Sequence, residues 1–296
     1  MYKNFFDFIL DKKSQLLIST FSFFVIGLLI SLFLSNIYLS SSVIAPTRDN
    51  YQADSGSNVG GILASTIGFR SDEATPELKF AGTYLSSYKF LSNFIVKNDL
   101  VDELLRFRKY NKSDGSLVLK RGRDYSIKSI FPNGEIDYSA PEIQEAVKEL
   151  RDLIRLAPGR ENDPNMYLDI FHQSPEFALF LNQKLLSDLN ESIVELDVHE
   201  SKLKLEYINS ILGSYNEIEV RKALSKIIES EISKQVLANS LENYSFMILD
   251  PPVLPLKKFS PRRTIICLTF ALSALLIHII ILSISYGFKI RGAADE

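Results

Sequence analysis

The sequence predicts an α+β membrane protein in which two transmembrane helices flank one mixed domain with a long helical arm. Three observations predict it. No Asp, Glu, Lys or Arg lies between Lys13 and Arg48, and none between Arg263 and Lys289. Between those gaps, Leu and Ile recur near three- and four-residue steps from Leu181 to Ile208. Two β-like segments, Tyr38–Ala45 and Tyr244–Leu249, adjoin the charge-free runs.

Composition narrows the function classes. The 296 residues are 46% hydrophobic and carry a net charge of −3, which excludes a disordered chain and argues against a nucleic-acid-binding surface. A single cysteine excludes a disulfide scaffold.

The first apolar run, Leu16–Tyr38, and the second, Thr264–Phe288, each exceed the roughly 20 helical residues that cross a bilayer core. A cleaved signal peptide is the alternative for the first, with Val43 and Ala45 as a small-residue site. Its apolar region would be about 7–15 residues, and Pro46 opposes cleavage after Ala45. Basic residues flank the second run, which favours a span over a buried core helix. Two spans leave a domain over residues 39–263, with tails 1–15 and 289–296 on the other side. Lys3, Lys12 and Lys13 favour cytoplasmic tails; Lys257, Lys258, Arg262 and Arg263 on the outer flank of the second span pull the other way. The first helix carries more weight, because long translocated domains follow the charge rule poorly.

The elements follow in order. Tyr38–Ala45, ended by Pro46, is a strand. Residues 47–74, with Gly60-Gly61, form a loop. Thr75-Pro76-Glu77 opens a helix, Thr as N-cap and Pro at its first position. It continues through Leu78, Leu85, Phe90, Leu91, Phe94 and Ile95, and a second piece covers Val101, Leu104 and Leu105. Residues 110–138 are irregular, with a turn at Pro132-Asn133-Gly134. Ser139-Ala140-Pro141-Glu142 has the form of a capping box for a helix to about Leu150. Leu153–Leu156 and Met166–Phe171 can pair as a hairpin around Pro158-Gly159. Ser174-Pro175-Glu176 starts the longest helix, about 176–212, with Leu181, Leu185, Leu189, Ile193, Leu196, Leu203 and Ile208 on one face. Gly213 marks a break, and a second helix covers about 217–243 with Leu224, Ile227, Ile228, Ile232, Val236 and Leu237. Tyr244–Leu249 is a strand. Asp250, Pro251, Pro252, Pro255 and Pro261 then form a stiff extended lead into the second span. The strands near Val43 and Phe246 are expected to pair in one sheet.

Catalytic patterns are missing from the sequence: no phosphate loop, no G-x-G-x-x-G, no H-E-x-x-H, no G-x-S-x-G. His172, His199 and His278 are widely separated, and Cys267 and His278 fall in the second span, so no metal site or cofactor is expected. His278 has no charged partner in either span and is expected to be a neutral interhelical hydrogen-bonder. Glu191 and Glu195 lie one turn apart on a charged helix and belong to a solvated face. Tails of this length leave no room for a receptor output or kinase module. Small residues one turn apart, Ser31/Ser35, Thr269/Ser273 and Ser283/Gly287, are candidates for close helix packing in the spans.

The final 60 residues carry the most specific signal. Val220-Arg221-Lys222-Ala223-Leu224 is followed by Tyr244-Ser245-Phe246-Met247-Ile248-Leu249-Asp250-Pro251-Pro252, by Leu254-Pro255-Leu256-Lys257-Lys258, and by Ser260-Pro261-Arg262-Arg263. This resembles the chain-length determinant family, the polysaccharide co-polymerases of bacterial inner membranes, whose Y-x-F-x-[IV]-[IL]-D-P-P/A strand precedes the second span. Tyr38 with Pro46, and Asp169–Phe171 with Ser174-Pro175-Glu176-Phe177-Ala178, also match its pattern. The resemblance implies cytoplasmic termini and a periplasmic domain with a membrane-proximal α/β base and a helical arm. It also implies a homo-oligomeric ring, without enzymatic activity, that sets the modal length of a polysaccharide such as lipopolysaccharide O-antigen. The implied partners are a membrane polymerase and the growing glycan. Some relatives add a tyrosine-kinase domain, whose phosphate loop this sequence lacks. The alternative is an inner-membrane component of capsule polysaccharide export.

Overall fold

The structure, a computed structural model, describes residues 12–46, 76–111, 116–119, 140–160, 163–214, 217–241 and 243–292. The loop expected at 47–74, the Thr75 cap, the Pro132-Asn133-Gly134 turn and Ser139 lie outside them. The chain divides into two units, Met1–Ile37 with Lys257–Glu296, and Tyr38–Leu256.

The first unit is a pair of packed helices, α1 (Lys13–Phe33) and α8 (Arg263–Gly292). Both are long and apolar enough to cross a membrane. At 1.5 Å per residue, the 21 residues of α1 reach about 32 Å, close to a bilayer core. Large side chains such as Leu17, Phe21, Leu29, Leu268, Leu276 and Ile280 are exposed around both helices. Among the described residues of the two helices, Gly27, Ser31, Cys267, Ala274 and Leu282 are buried, and Gly27 faces Phe270. An apolar outer surface of this kind suits lipid as solvent.

The first helix ends earlier than Tyr38, the residue expected to close it. Leu34 is already extended, with ψ 131°. Asn36 and Ile37 serve another purpose: the Ile37 N–H donates to the Ser260 carbonyl (2.8 Å), and the Phe259 N–H donates to the Ile37 carbonyl (2.9 Å). Hydrogen bonds across the two chain segments replace those that further helix would have made.

The second unit is built on a four-stranded antiparallel sheet in the order β4-β5-β1-β6, with β1 Tyr38–Ala45, β4 Ile154–Pro158, β5 Met166–His172 and β6 Met247–Asp250. The expected pairing of the strands that follow the first run and precede the second is present, with Ile44 opposite Ile248 and Ala45 opposite Met247. The β4–β5 hairpin is present as well. Its turn uses Gly159, whose N–H donates to Asn165 O (2.7 Å). A Cβ there would approach Asp163 O to 2.4 Å, so the turn requires glycine.

Helices α2 (Pro76–Leu85), α3 (Tyr88–Lys97), α4 (Val101–Leu105) and α5 (Pro141–Leu153) and the first half of α6 (Pro175–Leu212) enclose the core with one face of the sheet. Leu78, Leu85, Leu91, Phe94, Ile95, Ile143, Leu150, Leu168, Ile170 and Leu181 are its largest fully buried members, with Ile44 and Phe246. Helix α3 is capped by Ser87, which accepts from Phe90 N. The capping box expected from Ser139 is replaced: the N-cap of α5 is Ala140, with no side-chain cap. Pro141 occupies the first helical position, and that makes the residue just before it the cap.

Residues 110–138, expected to be irregular, contain part of a hairpin. β2 (Phe107–Asn111) pairs with β3 (Ser116–Leu119). The Lys/Asp/Gly-rich composition hid the short apolar run Leu117-Val118-Leu119.

The chain's longest element is α6, 38 residues or about 57 Å. Ser174 caps it, accepting from Phe177 N at 3.0 Å, with Pro175 following. Burial along it stops near Ile193; beyond that point only Ser201 and Ile208 are buried. Helix α7 (Ile218–Ser240) runs antiparallel to this outer half through Lys234–Asp197 (3.0 Å) and Ser201–Glu231 (2.6 Å). Of its apolar residues, Ile227, Ile232, Val236 and Leu237 are exposed, as is Leu203 on α6. The spacing that predicted two amphipathic helices therefore does not describe a sealed seam within one chain. Two helices alone can bury only one stripe each.

Candidate functional site

The sheet and α6 are locked together by buried polar groups. Even-numbered residues of β1 face α6, which points Ser40 and Ser42 into the interior. Asn182, fully buried on α6, accepts from Ser42 Oγ (2.8 Å) and donates to the carbonyls of Ser40 (3.0 Å) and Leu168 (3.3 Å). One turn and a half further, buried Asp188 accepts from Asn98 Nδ2 (2.7 Å) and Lys97 Nζ (3.1 Å). The opposite face of the sheet carries Asp169, which accepts from Ser41 Oγ (2.6 Å) and Arg155 Nε (3.1 Å); all three sit on register positions of neighbouring strands.

At the end of β5, His172 lies between the rings of Phe107 and Phe177, with centroids 4.6 and 4.7 Å away. Its Nδ1 accepts from Ser174 N (3.0 Å). Burial lowers its pKa from 6.5 to about 4. The unfolded chain therefore takes up a proton as pH falls through 6.5 while the folded chain does not. Stability present above pH 6.5 is lost progressively toward pH 4, by roughly 3 kcal/mol in all. His172→Phe is expected to flatten that slope in melts of the full chain in detergent between pH 7 and 4.5. An unchanged slope would assign the pH dependence to other groups.

The fixed inner half of α6 forms one wall of a cleft of about 290 Å³. Gln183, Ser187 and Asn190 line that wall, above Leu186. Across from them stand Asn243, Phe246, Pro251 and Pro252. Asn190 holds the far wall in place by accepting from Ser245 N (3.1 Å). Tyr244 beside it donates to Asp197 (2.9 Å), and burial, reinforced by that carboxylate, raises its phenol pKa far above 10. Among the described residues, no charged side chain lines the cleft. Amides and a hydroxyl over an apolar floor suit a neutral, hydroxyl- or amide-rich ligand, either a sugar or an extended peptide.

The proline segment is thus divided. Asp250, exposed, ends β6 opposite Val43. Pro251 and buried Pro252 enter the cleft, and Pro255 stays half-buried in the same unit. Pro261, buried behind a cis peptide bond, belongs to the helical unit. Among the small residues of the spans, Ser31 is buried in the seam and Ser273 half-buried, its hydroxyl donating to Phe270 O. Ser35, Thr269 and Ser283 are exposed, Thr269 donating to Ile265 O of its own helix; Gly287 falls within α8. A close approach falls at Gly27, which is not among the expected pairs: a Cβ there would lie 2.9 Å from Phe270 Cβ. Its signal was available: it is the only glycine in the first apolar run. His278 Nε2 is buried and has no hydrogen-bond partner among the described residues. Among the described residues, no group of three or more His, Cys, Asp or Glu could hold a metal ion.

These elements define a class: an α+β domain bracketed by two helices able to span a membrane, with one long helix extending from its core. Among solved structures the chain is similar to a full-length bacterial polysaccharide co-polymerase, at 12% identity over 98% of each chain with a TM-score of 0.40. It is also similar to a fragment of WzzB, a polysaccharide co-polymerase from Salmonella Typhimurium, at 11% identity over 76% of this chain and 100% of that one, TM-score 0.29. No family model and no curated protein sequence matches the chain.

Proposed function

We propose that this chain is a chain-length determinant of the polysaccharide co-polymerase family, a non-enzymatic regulator of the modal length of a surface polysaccharide, with lipopolysaccharide O-antigen as the polymer. It works as an oligomeric scaffold for the polymerase, in the inner membrane, with both termini cytoplasmic and the domain periplasmic. The observation that carries this reading is the pairing of β1 with β6: the strand of the Tyr244–Pro252 motif joins the strand that follows the first span in the chain. Exposed Ile232 and Val236 on one flank of α7, and Ile227 and Leu237 on another, support packing against further copies.

Deleting the gene and comparing surface polysaccharide on gels with that of complemented cells tests the reading. Collapse of a modal cluster to random lengths, with polymer still exported, is the expected result. Polymer trapped inside the cell would point to the export role instead. The cleft adds a finer prediction: Pro251→Ala with Pro252→Ala shifts the modal length while protein levels stay normal. An unchanged distribution at normal levels would remove the proline wall from the mechanism.

A further inference from the structure

We propose that the turn leading into the second span is a binding site for the phosphate of anionic phospholipid headgroups. The inference rests on the two-span reading and not on the polysaccharide function, so each can fail alone.

The turn is fixed. The three backbone hydrogen bonds joining Ile37 to Phe259 and Ser260, between 2.8 and 3.2 Å, clamp it beside the end of α1. From this clamp project four cationic side chains, Lys257, Lys258, Arg262 and Arg263. Lys257, Lys258 and Arg262 are exposed. None of these three has an ion-pair or hydrogen-bond partner among the described residues. The described residues of this unit include no Asp or Glu that could neutralise the cations.

Arg263 is the sharper observation. Its guanidinium touches Asn36 Oδ1 at 3.5 Å, while its Nε is buried and has no partner among the described residues. A buried donor of a permanently charged group needs an acceptor, because leaving it unpaired is expensive. A phosphate diester supplies two oxygens in the spacing that a guanidinium fork matches. Arg263 is also the first residue of α8, so the positive end of a 30-residue helix adds to the field there.

Geometry selects the source of that phosphate. The chain is charge-free from Thr264 to Phe288, which sets Arg263 at the edge of the hydrocarbon. Lys257 is six residues upstream, at most about 20 Å along an extended chain, and long side chains reach further. The four charges therefore stand at the level of lipid headgroups. Phe259, 41% exposed, suits the same interface.

The experiment uses the full chain in nanodiscs of phosphatidylcholine mixed with phosphatidylglycerol, released into native mass spectrometry to count retained lipids. Wild type is expected to retain phosphatidylglycerol in preference. Lys257→Gln with Lys258→Gln and Arg262→Gln is expected to lose at least tenfold of that preference, since each surface charge contributes about fivefold. Arg263→Gln alone is expected to reduce it as well. Lys12→Gln with Lys13→Gln, at the other end of α1, should keep most of it, and circular dichroism should show all variants folded. Equal retention of the two lipids by wild type, or an unchanged preference in the collar variants, overturns the proposal. So does competition by inorganic phosphate at millimolar concentration, which would make this a site for the free ion.

Discussion

Asn182→Asp is expected to destabilise the Tyr38–Leu256 unit by about 3 kcal/mol at pH 7. The substitution keeps the shape and keeps an acceptor for Ser42. It replaces the amide donor with a carboxylate oxygen aimed at the carbonyls of Ser40 and Leu168, 3.0 and 3.3 Å away, in a fully buried site. Two acceptors then face a third without water between them. Lowering the pH should restore part of the loss, because a protonated carboxyl regains one donor. Asn182→Ala removes the same bonds, leaves a cavity and should lose a comparable amount with no recovery at low pH. Thermal and denaturant melts of the full chain in detergent measure both. A loss under about 1 kcal/mol for Asn182→Asp would mean that the sheet and α6 are held by apolar packing alone.

Gly27→Leu is expected to separate the two apolar helices, with a loss of about 1–3 kcal/mol in the pairing. The Cβ alone would stand 2.9 Å from Phe270 Cβ and 3.0 Å from its Cγ. A Cβ neighbour cannot rotate away; only movement of the helix relieves it. Phe270→Ala in the same chain should recover the part of the loss that comes from the ring, whose Cγ and Cδ2 would stand 3.0 and 3.1 Å away, while the Cβ contact remains. The readout is disulfide crosslinking between cysteines placed across the seam in lipid, with native Cys267 first replaced by serine. Unchanged crosslinking in Gly27→Leu, or no recovery in the double variant, would show that the seam is not set by this contact. Since lipid tails are as apolar as the helices, close packing rather than hydrophobic burial holds such pairs, and one glycine can decide the distance.

Most of the element order was legible in the sequence because its signals are local. The charge-free runs, Ser174 before Pro175, and the 3.6-residue period of α6 each act over a few residues. The hairpin of β2 and β3 was hidden because its strands are short and polar, and pairing across a turn leaves little pattern in one strand. The end of α1 lies five residues before the expected Tyr38 for a related reason: Leu34 to Tyr38 carry no charge that would mark it, and Phe259 and Ser260, more than 220 residues away, draw Ile37 into an extended bridge. For the site, sequence reasoning found the proline segment but not its opposite wall. Gln183, Ser187 and Asn190 look like ordinary solvated helix residues until β6 is paired with β1 and brings Phe246 and Pro252 over them.

By itself the sequence determined what solvent and local geometry dictate: which segments prefer lipid, where helices begin, and which residues resemble a known family. Only the tertiary structure decided which strands pair, that Asn182 and Asp188 are buried as anchors, that Gly27 lies tight against Phe270, and that Arg263 has a buried donor with no partner among the described residues. These depend on residues tens to hundreds of positions apart meeting at hydrogen-bond distance, and distance in space is what a one-dimensional pattern does not encode.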